Sequence, residues 1–326
     1  MKFHEEIFNI SSEQDFNDIT IEMFHYQFEK NPIYRDFVNS LSICTSEIKQ
    51  FETIPFLPVS FFKTQKILTG FQDSEIVFLS SGTSGMEQSK HHVADISVYK
   101  RSLLKGFESF YGKPSGYIIL GLVPDPGKKP DSSLAFMVNS LMEAAHPGEK
   151  YFFLDDFSSL HEKIISFTKV QKKILLIGLT SALLDFSEKF PTASPDMIIM
   201  ETGGMKGKRK ELIREELHEL LCEQFGVAKI HSEYGMTELL SQAYSKGYGL
   251  FSPSPWMRIL IRDPNDPLTI LKTGQTGGIN VIDLANYNSC PFIATQDLGK
   301  IHTNHQFEVL GRFDHSEIRG CNLMTF

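Results

Sequence analysis

From about residue 95 to residue 235 the chain alternates short, almost wholly apolar runs with longer amphipathic ones. That alternation constrains its fold more than any other feature. "GYIILGLV", "KKILLIGLT", "PDMIIMETGG" and "VAKIHSEYG" read as buried strands, and "KYFFLDD" predicts another. "DISVYKRSLLKGFESFYG", "DSSLAFMVNSLMEAAH", "FSSLHEKIISFTKVQ", "SALLDFSEKF" and "KRKELIREELHELLCEQFG" carry helical spacing. A strand that is apolar on both faces must be covered on both, which is the situation of a parallel sheet between helix layers. The expected class is α/β, with mostly parallel sheets flanked by helices.

Either side of this stretch the texture differs. Residues 13–30 space Phe16, Ile19, Met23 and Tyr26 on one helical face, and Pro32 breaks the pattern. "IPFLPVSFFK" is a proline-marked extended segment. "SEIVFLSS" predicts a strand, and "SKHHVA" its return across a glycine loop. From about residue 250, "WMRILIRDP", "GGINVIDL" and "HQFEVLG" read as strands joined by turns, with no long helix between them. The expected organisation is an α/β core with N-terminal helices over 1–250, a β-rich subdomain over 251–311 and a short tail over 312–326.

Composition narrows the partners. A chain of 326 residues with 41% hydrophobic and 22% charged residues can bury a sizeable core. A net charge of -8 disfavours nucleic acid, which recruits basic faces. The start "MKFHEEIFNI" puts acids where a secretion signal would be apolar, and no run of eighteen apolar residues exists, so no membrane span is expected. The 4 cysteines, at 44, 222, 290 and 321, form no metal-ligand spacing. Free thiols in a cytoplasmic setting are expected, with Cys44, Cys222 and Cys290 buried. The 27 phenylalanines are read as a large aromatic core.

Four short stretches carry candidate chemistry. In "FLSSGTSGMEQSKHH", Gly82 and Gly85 free the backbone while Ser81, Thr83 and Ser84 add hydroxyls. Such a loop either cradles an anion on its amides or is a tight turn with no ligand. In "HSEYGMTE", Tyr234 offers a ring for stacking, and Glu238 is either a Mg²⁺ ligand beside a polyphosphate or a capping acid. "ATQDLGKI" is expected to hold Asp297 in a turn, where a carboxylate could accept from ribose hydroxyls. "GRFDHSEIRGCNL" groups Arg312, Asp314 and Arg319 just before Cys321. His91 and His92 are read as strand residues, His231 as packing beside the sheet, and Asp155 and Asp156 as caps of the following helix.

"SSGTSG", "YGMTE", "TQDLGKI" and "GRFDHSEIRG" stand in the order and rough spacing of the adenylate-forming superfamily, which includes acyl-CoA synthetases and luciferase. With "IPFLPVSFFK", "ETGGMKG" and "RGCNL", nearly the whole chain resembles the acyl-protein synthetase family, the fatty-acid-activating component of the bacterial luminescence reductase complex. The resemblance implies ATP and Mg²⁺ as cofactors and a carboxylic, fatty acyl, substrate. It implies a ligase that forms acyl-AMP, then a thioester on its own cysteine, for delivery to an acyl-CoA reductase-type partner. Ser81, Gly82, Thr83, Ser84 and Gly85 would hold the β,γ-phosphates, and Gly203 and Gly204 would lie beside adenine. Tyr234 and Gly235 would meet the base, Thr237 the α-phosphate, Glu238 the metal, and Asp297 the ribose with Arg312 nearby. Cys321 would accept the acyl group.

Two departures are visible. Only 15 residues follow Gly311, where most relatives continue into a lid that carries a catalytic lysine, so a truncated lid is expected. Met86 and Glu87 stand where many relatives have proline and lysine. Two other functions remain open at this point. One is a ligase acylating coenzyme A or a carrier protein. The other is a non-catalytic nucleotide-binding scaffold.

Overall fold

A computed structural model describes residues 3–70, 73–81, 87–170, 172–191, 194–203 and 212–313. The N-terminal segment folds as helices α1 (Phe3–Glu6), α2 (Glu13–Lys30) and α3 (Pro32–Ser40), then strand β1 (Leu57–Pro58) and helix α4 (Phe61–Thr64). Helix α2 runs over the predicted residues and is capped by Ser12, whose side chain accepts from Asp15 N. Pro32 breaks it as expected but also opens α3. Asn31 caps that second helix by accepting from Tyr34 N at 3.2 Å, with proline at the first helical position, where its missing N–H costs nothing.

Strands β2 (Ile76–Leu79) and β3 (Lys90–Val93) form a separate antiparallel hairpin. The alternating region follows as α5 (Ile96–Tyr111), β4 (Tyr117–Leu122), α6 (Ser133–Ala145), α7 (Phe157–Phe167), β5 (Lys173–Leu179), α8 (Thr180–Lys189), β6 (Ile198–Thr202), α9 (Arg214–Phe225) and β7 (His231–Tyr234). Strands β4 to β7 are parallel neighbours in sequence order. Their side chains alternate between two cores. Ile119, Leu175, Ile177 and Met200 join the one that includes α5 and α6, while Ile118, Leu120, Leu176 and Ile199 join the one that includes α7, α8 and α9. "KYFFLDD" departs from expectation and gives only a single parallel bridge, Gly121 to Phe152. Asp156 caps α7 through Ser159 N at 3.0 Å, and this helix start cuts the extended run short.

The same sheet then turns antiparallel through β8 (Ala243–Ser245), β9 (Phe251–Pro253), β10 (Met257–Arg262), β11 (Thr276–Asp283), β12 (Phe292–Ile301) and β13 (Phe307–Arg312). Its strand order is β10-β11-β12-β13-β9-β8-β7-β6-β5-β4, with β1 pairing in parallel on β12. Strands β8 and β9 are three residues each, too short to leave a periodicity in the sequence.

Asp297 is not in a turn: it lies inside β12. The nearby Gly299 serves close packing instead. A Cβ there would stand 2.6 Å from the carbonyl oxygen of Glu308, and the pairing register shifts at this point. Cys290 is buried as expected, but Cys222 is half-buried and Cys44 exposed. Among the described residues no helix is long and apolar enough to cross a membrane.

Candidate active site

Parallel strands deliver their following loops to one edge of the sheet, so Gly203, after β6, and Gly235, after β7, emerge side by side. Both are exposed. Gly203 has φ +70°, a conformation that favours glycine, and its carbonyl accepts from Thr180 Oγ1 at 2.6 Å. A Cβ at Gly235 would stand 2.5 Å from Glu233 Oε1, so a larger residue would displace that carboxyl.

The last residue of β7 reaches across to the antiparallel part of the sheet. Tyr234 Oη donates to Asp297 Oδ2 at 2.9 Å, and Arg312 Nε donates to Asp297 Oδ1 at 3.2 Å. The strand register produces the second contact, because Asp297 and Arg312 are direct cross-strand partners on β12 and β13. Tyr234 is held by edge-on packing against Phe251 and Phe307, with centroids at 6.0 and 5.6 Å. Asp297 is buried, while the Arg312 side chain is 70% exposed.

Thr237 and Glu238 follow in the loop after β7. Glu238 is buried, and burial pushes its carboxyl above the usual range. A hydrogen bond from Ser89 and the Arg312 charge oppose that rise, and the Asp297 charge adds to it. Glu238, Asp297, Arg312 and Ser89 therefore share one neighbourhood, though they come from four separate stretches. Ser81 lies at the exposed end of the β2–β3 hairpin. Gly82, Thr83, Ser84, Gly85, Gly204 and Cys321 lie outside the described residues.

Several polar residues around this site have no motif in the sequence. Asp283, at the end of β11, accepts from Leu240 N at 2.7 Å, Ser241 N at 3.0 Å, Ser241 Oγ at 2.5 Å and Ala285 N at 3.2 Å. Burial raises its carboxyl to about 6. Glu233 accepts from Thr202 Oγ1 at 2.5 Å, and burial pushes it up to about 7. On the neighbouring strand, Glu201 stands 3.9 Å from Arg214 Nη1 and 3.7 Å from His218 Nε2. Burial would raise Glu201 too, but the His218 hydrogen bond and the Arg214 charge bring it below the ordinary value. The available signal was only a charged residue inside an apolar run, as in "IIMET" and "INVID".

The chain matches the family described as "Acyl-protein synthetase, LuxE" over residues 3–325. It belongs to that family. Among curated proteins it is similar to the long-chain-fatty-acid--luciferin-component ligase of Vibrio harveyi, with 24% identity over 92% of this chain and 84% of that protein. Among solved structures it resembles an open conformation of 2-hydroxyisobutyryl-CoA ligase in complex with 2-HIB-AMP and CoA. That match has a TM-score of 0.67 and 12% identity, and covers 93% of this chain and 70% of that one. It also resembles ATP-bound MatB from Rhodopseudomonas palustris, with a TM-score of 0.54 and 19% identity. It spans 47% of the MatB chain, against 72% of its own length. At these identities the structural likeness is one of fold, and that fold is the adenylate-forming α/β architecture expected from the sequence.

Proposed function

We propose that this acyl-protein synthetase family member activates a fatty acid with ATP and transfers the acyl group to its own Cys321. In the first step a carboxylate oxygen attacks the α-phosphorus, pyrophosphate leaves, and acyl-AMP forms. In the second a cysteine thiolate attacks the acyl carbon, AMP leaves, and a thioester forms. The nucleotide would lie between the core of residues 1–250 and the β-rich subdomain of residues 251–311, with 312–326 as the tail bearing the acceptor. Asp297 would take the ribose hydroxyls, oriented by Tyr234 and Arg312. Gly203 and Gly204 would flank the adenine beside Tyr234 and Gly235. Ser81 to Gly85 would receive the outer phosphates, and Thr237 the α-phosphate. A reductase-type protein is the fitting final acceptor, because a protein-bound thioester is a preactivated substrate for reduction.

The residues present suit Mg²⁺. No group of three or more acidic, histidine or cysteine side chains forms a cage among the described residues. Mg²⁺ does not need one, since it is commonly held by one or two carboxylates together with substrate phosphates. Glu238 is such a carboxylate, and it is buried beside Ser89. A bound cation would supply charge neutralisation of the phosphates there.

The observation that supports this reading best is the convergence of Tyr234, Glu238, Asp297 and Arg312 at one edge of the sheet, in a chain of this family. The test is Cys321→Ser. Fatty-acid-dependent ATP–pyrophosphate exchange should persist, while labelling of the protein by radioactive fatty acid should vanish. Undiminished labelling would remove Cys321 from the mechanism. Acyl-CoA formation by the variant at the wild-type rate would favour a coenzyme A ligase, and a wild-type protein without exchange on any fatty acid would favour a scaffold.

A further inference from the structure

The loop that carries Thr237 and Glu238 is fixed from behind by side chains, and two of them reach its two key carbonyls. His91 on β3 is fully buried, with Nδ1 2.8 Å from the carbonyl oxygen of Thr237 and Nε2 3.0 Å from Oδ1 of Asn286. Asn286, also fully buried, donates through Nδ2 to the carbonyl oxygens of Glu238 at 2.8 Å and Cys290 at 3.0 Å. Those two bonds fix the amide orientation, so its oxygen must face the imidazole. The ring is braced edge-on by Phe62 at 5.7 Å.

Three distant stretches thus meet in one chain of contacts. His91 and Thr237 are 146 positions apart, and His91 and Asn286 are 195 apart. Ser89, two residues before His91, also bonds the Glu238 carboxylate. Ser89 N in turn donates to Ser80 Oγ at 2.9 Å. The hairpin has no ladder to the main sheet; Phe78 and Val93 anchor it in the core, and the polar links add a direct tie to the Glu238 loop.

We propose that His91 and Asn286 are positioning residues that set the Glu238 carboxylate, through the carbonyls of Thr237 and Glu238, at a fixed spacing from the β2–β3 hairpin. Neither touches the reacting atoms. Their contribution is rigidity of the one carboxylate assigned to the cation. Both ring contacts are oxygens, so the neutral imidazole donates to one of them at a time. Burial holds the ring neutral by pushing it down to about 4, against the raising effect of the Thr237 and Asn286 bonds.

This inference rests on the adenylation reading, and its test separates the two. ATP affinity is measured by titration calorimetry with and without Mg²⁺, on the wild type, His91→Phe, His91→Asn and Asn286→Ala. The wild type should bind ATP roughly tenfold more tightly with Mg²⁺, an ordinary coupling between two ligands. His91→Phe keeps the packing against Phe62 but has no donor. It should keep its Mg²⁺-free affinity while the Mg²⁺ effect shrinks about fivefold or more. Asn286→Ala should behave alike. His91→Asn retains an N–H near the Nδ1 position and should recover part of the effect, which keeps the proposal testable if the phenylalanine variant fails to fold. An unchanged Mg²⁺ effect in variants that bind ATP normally would overturn the positioning role alone. Equal losses with and without Mg²⁺ would mean a purely structural role and would also overturn it. A wild type that binds ATP with no Mg²⁺ effect, or not at all, would overturn the adenylation reading along with it.

Discussion

The parallel half of the sheet is buried and the loop of residues 236–241 is largely so, but they are held by different physics. Strands β4 to β7 are apolar on both faces and lie between two helix layers, so their stabilisation is spread over dozens of small contacts. The loop has no ladder of its own at Thr237 and Glu238. His91 and Asn286 take its carbonyls, and Asp283 takes the amides of Leu240 and Ser241. Apolar packing is non-directional and tolerates small shifts, whereas the polar mount specifies an orientation. The chain spends diffuse contacts where it needs a platform and directional ones where it needs a carboxylate in a set place.

The sharpest way to break this comparison is Asp283→Ala. It would orphan three backbone amides in a buried setting, while the Ser241 hydroxyl keeps Trp256 Nε1 and Ser102 Oγ within hydrogen-bond distance. At roughly 1–3 kcal/mol for each unsatisfied donor, three orphaned amides should cost about 6 kcal/mol, and no less than about 3. Urea unfolding reads this loss, and pyrophosphate exchange should fall with it. Leu176→Ala is the counterpart in the platform. Leu176 is fully buried in β5, and such truncations cost about 2–5 kcal/mol; about 3 is expected here. Its KM for ATP should stay at the wild-type value, because the strand end and its loop are held by neighbours on both sides. A raised KM in Leu176→Ala, or an Asp283→Ala protein as stable as wild type, would erase the distinction.

The same distinction explains what could be read from the sequence. Strands such as "YIILGL" and "KILLIGL" announce themselves because burial on both faces demands a continuous apolar run, and their helices carry the matching 3.6-residue period. Asp297 and Arg312 could be named from motifs, yet the reason they meet, a cross-strand pairing inside a bulged ladder, was hidden. "QDLG" has the composition of a turn, and only the close approach of the Glu308 carbonyl shows why that glycine sits in a strand. His91 and Asn286 left no local signal of these roles, and Asp283 only a charge inside an apolar run. Their roles depend on partners 146, 48 and 43 positions away, and no window along the chain contains both members of such a pair.

Glu233 lies where the two regimes join, a carboxyl at the end of a platform strand, and it offers the smallest and most pH-specific test. Burial lifts it to about 7 from an ordinary 4.5, with the nearby Glu201 charge adding to the rise and the Thr202 bond opposing it. The folded protein therefore holds this proton where the unfolded chain has lost it. Stability from the group is fully present below about pH 4.5 and is lost as pH climbs through about 7. Glutamine mimics the protonated form and can still accept from Thr202 Oγ1. The difference in unfolding free energy between Glu233→Gln and wild type isolates the group, because His91, His231 and Asp283 titrate in both proteins. That difference should be near zero at about pH 4.5 and widen in favour of the variant up to about pH 7. A separation of about 2.5 pKa units sets a ceiling of about 3 kcal/mol, and about 2 is expected once local relaxation is allowed for. A gap that stays constant from about pH 5 to about pH 8 would mean that Glu233 is ionised in the fold. The platform would then have to tolerate a buried charge at the point where it hands over to the polar mount.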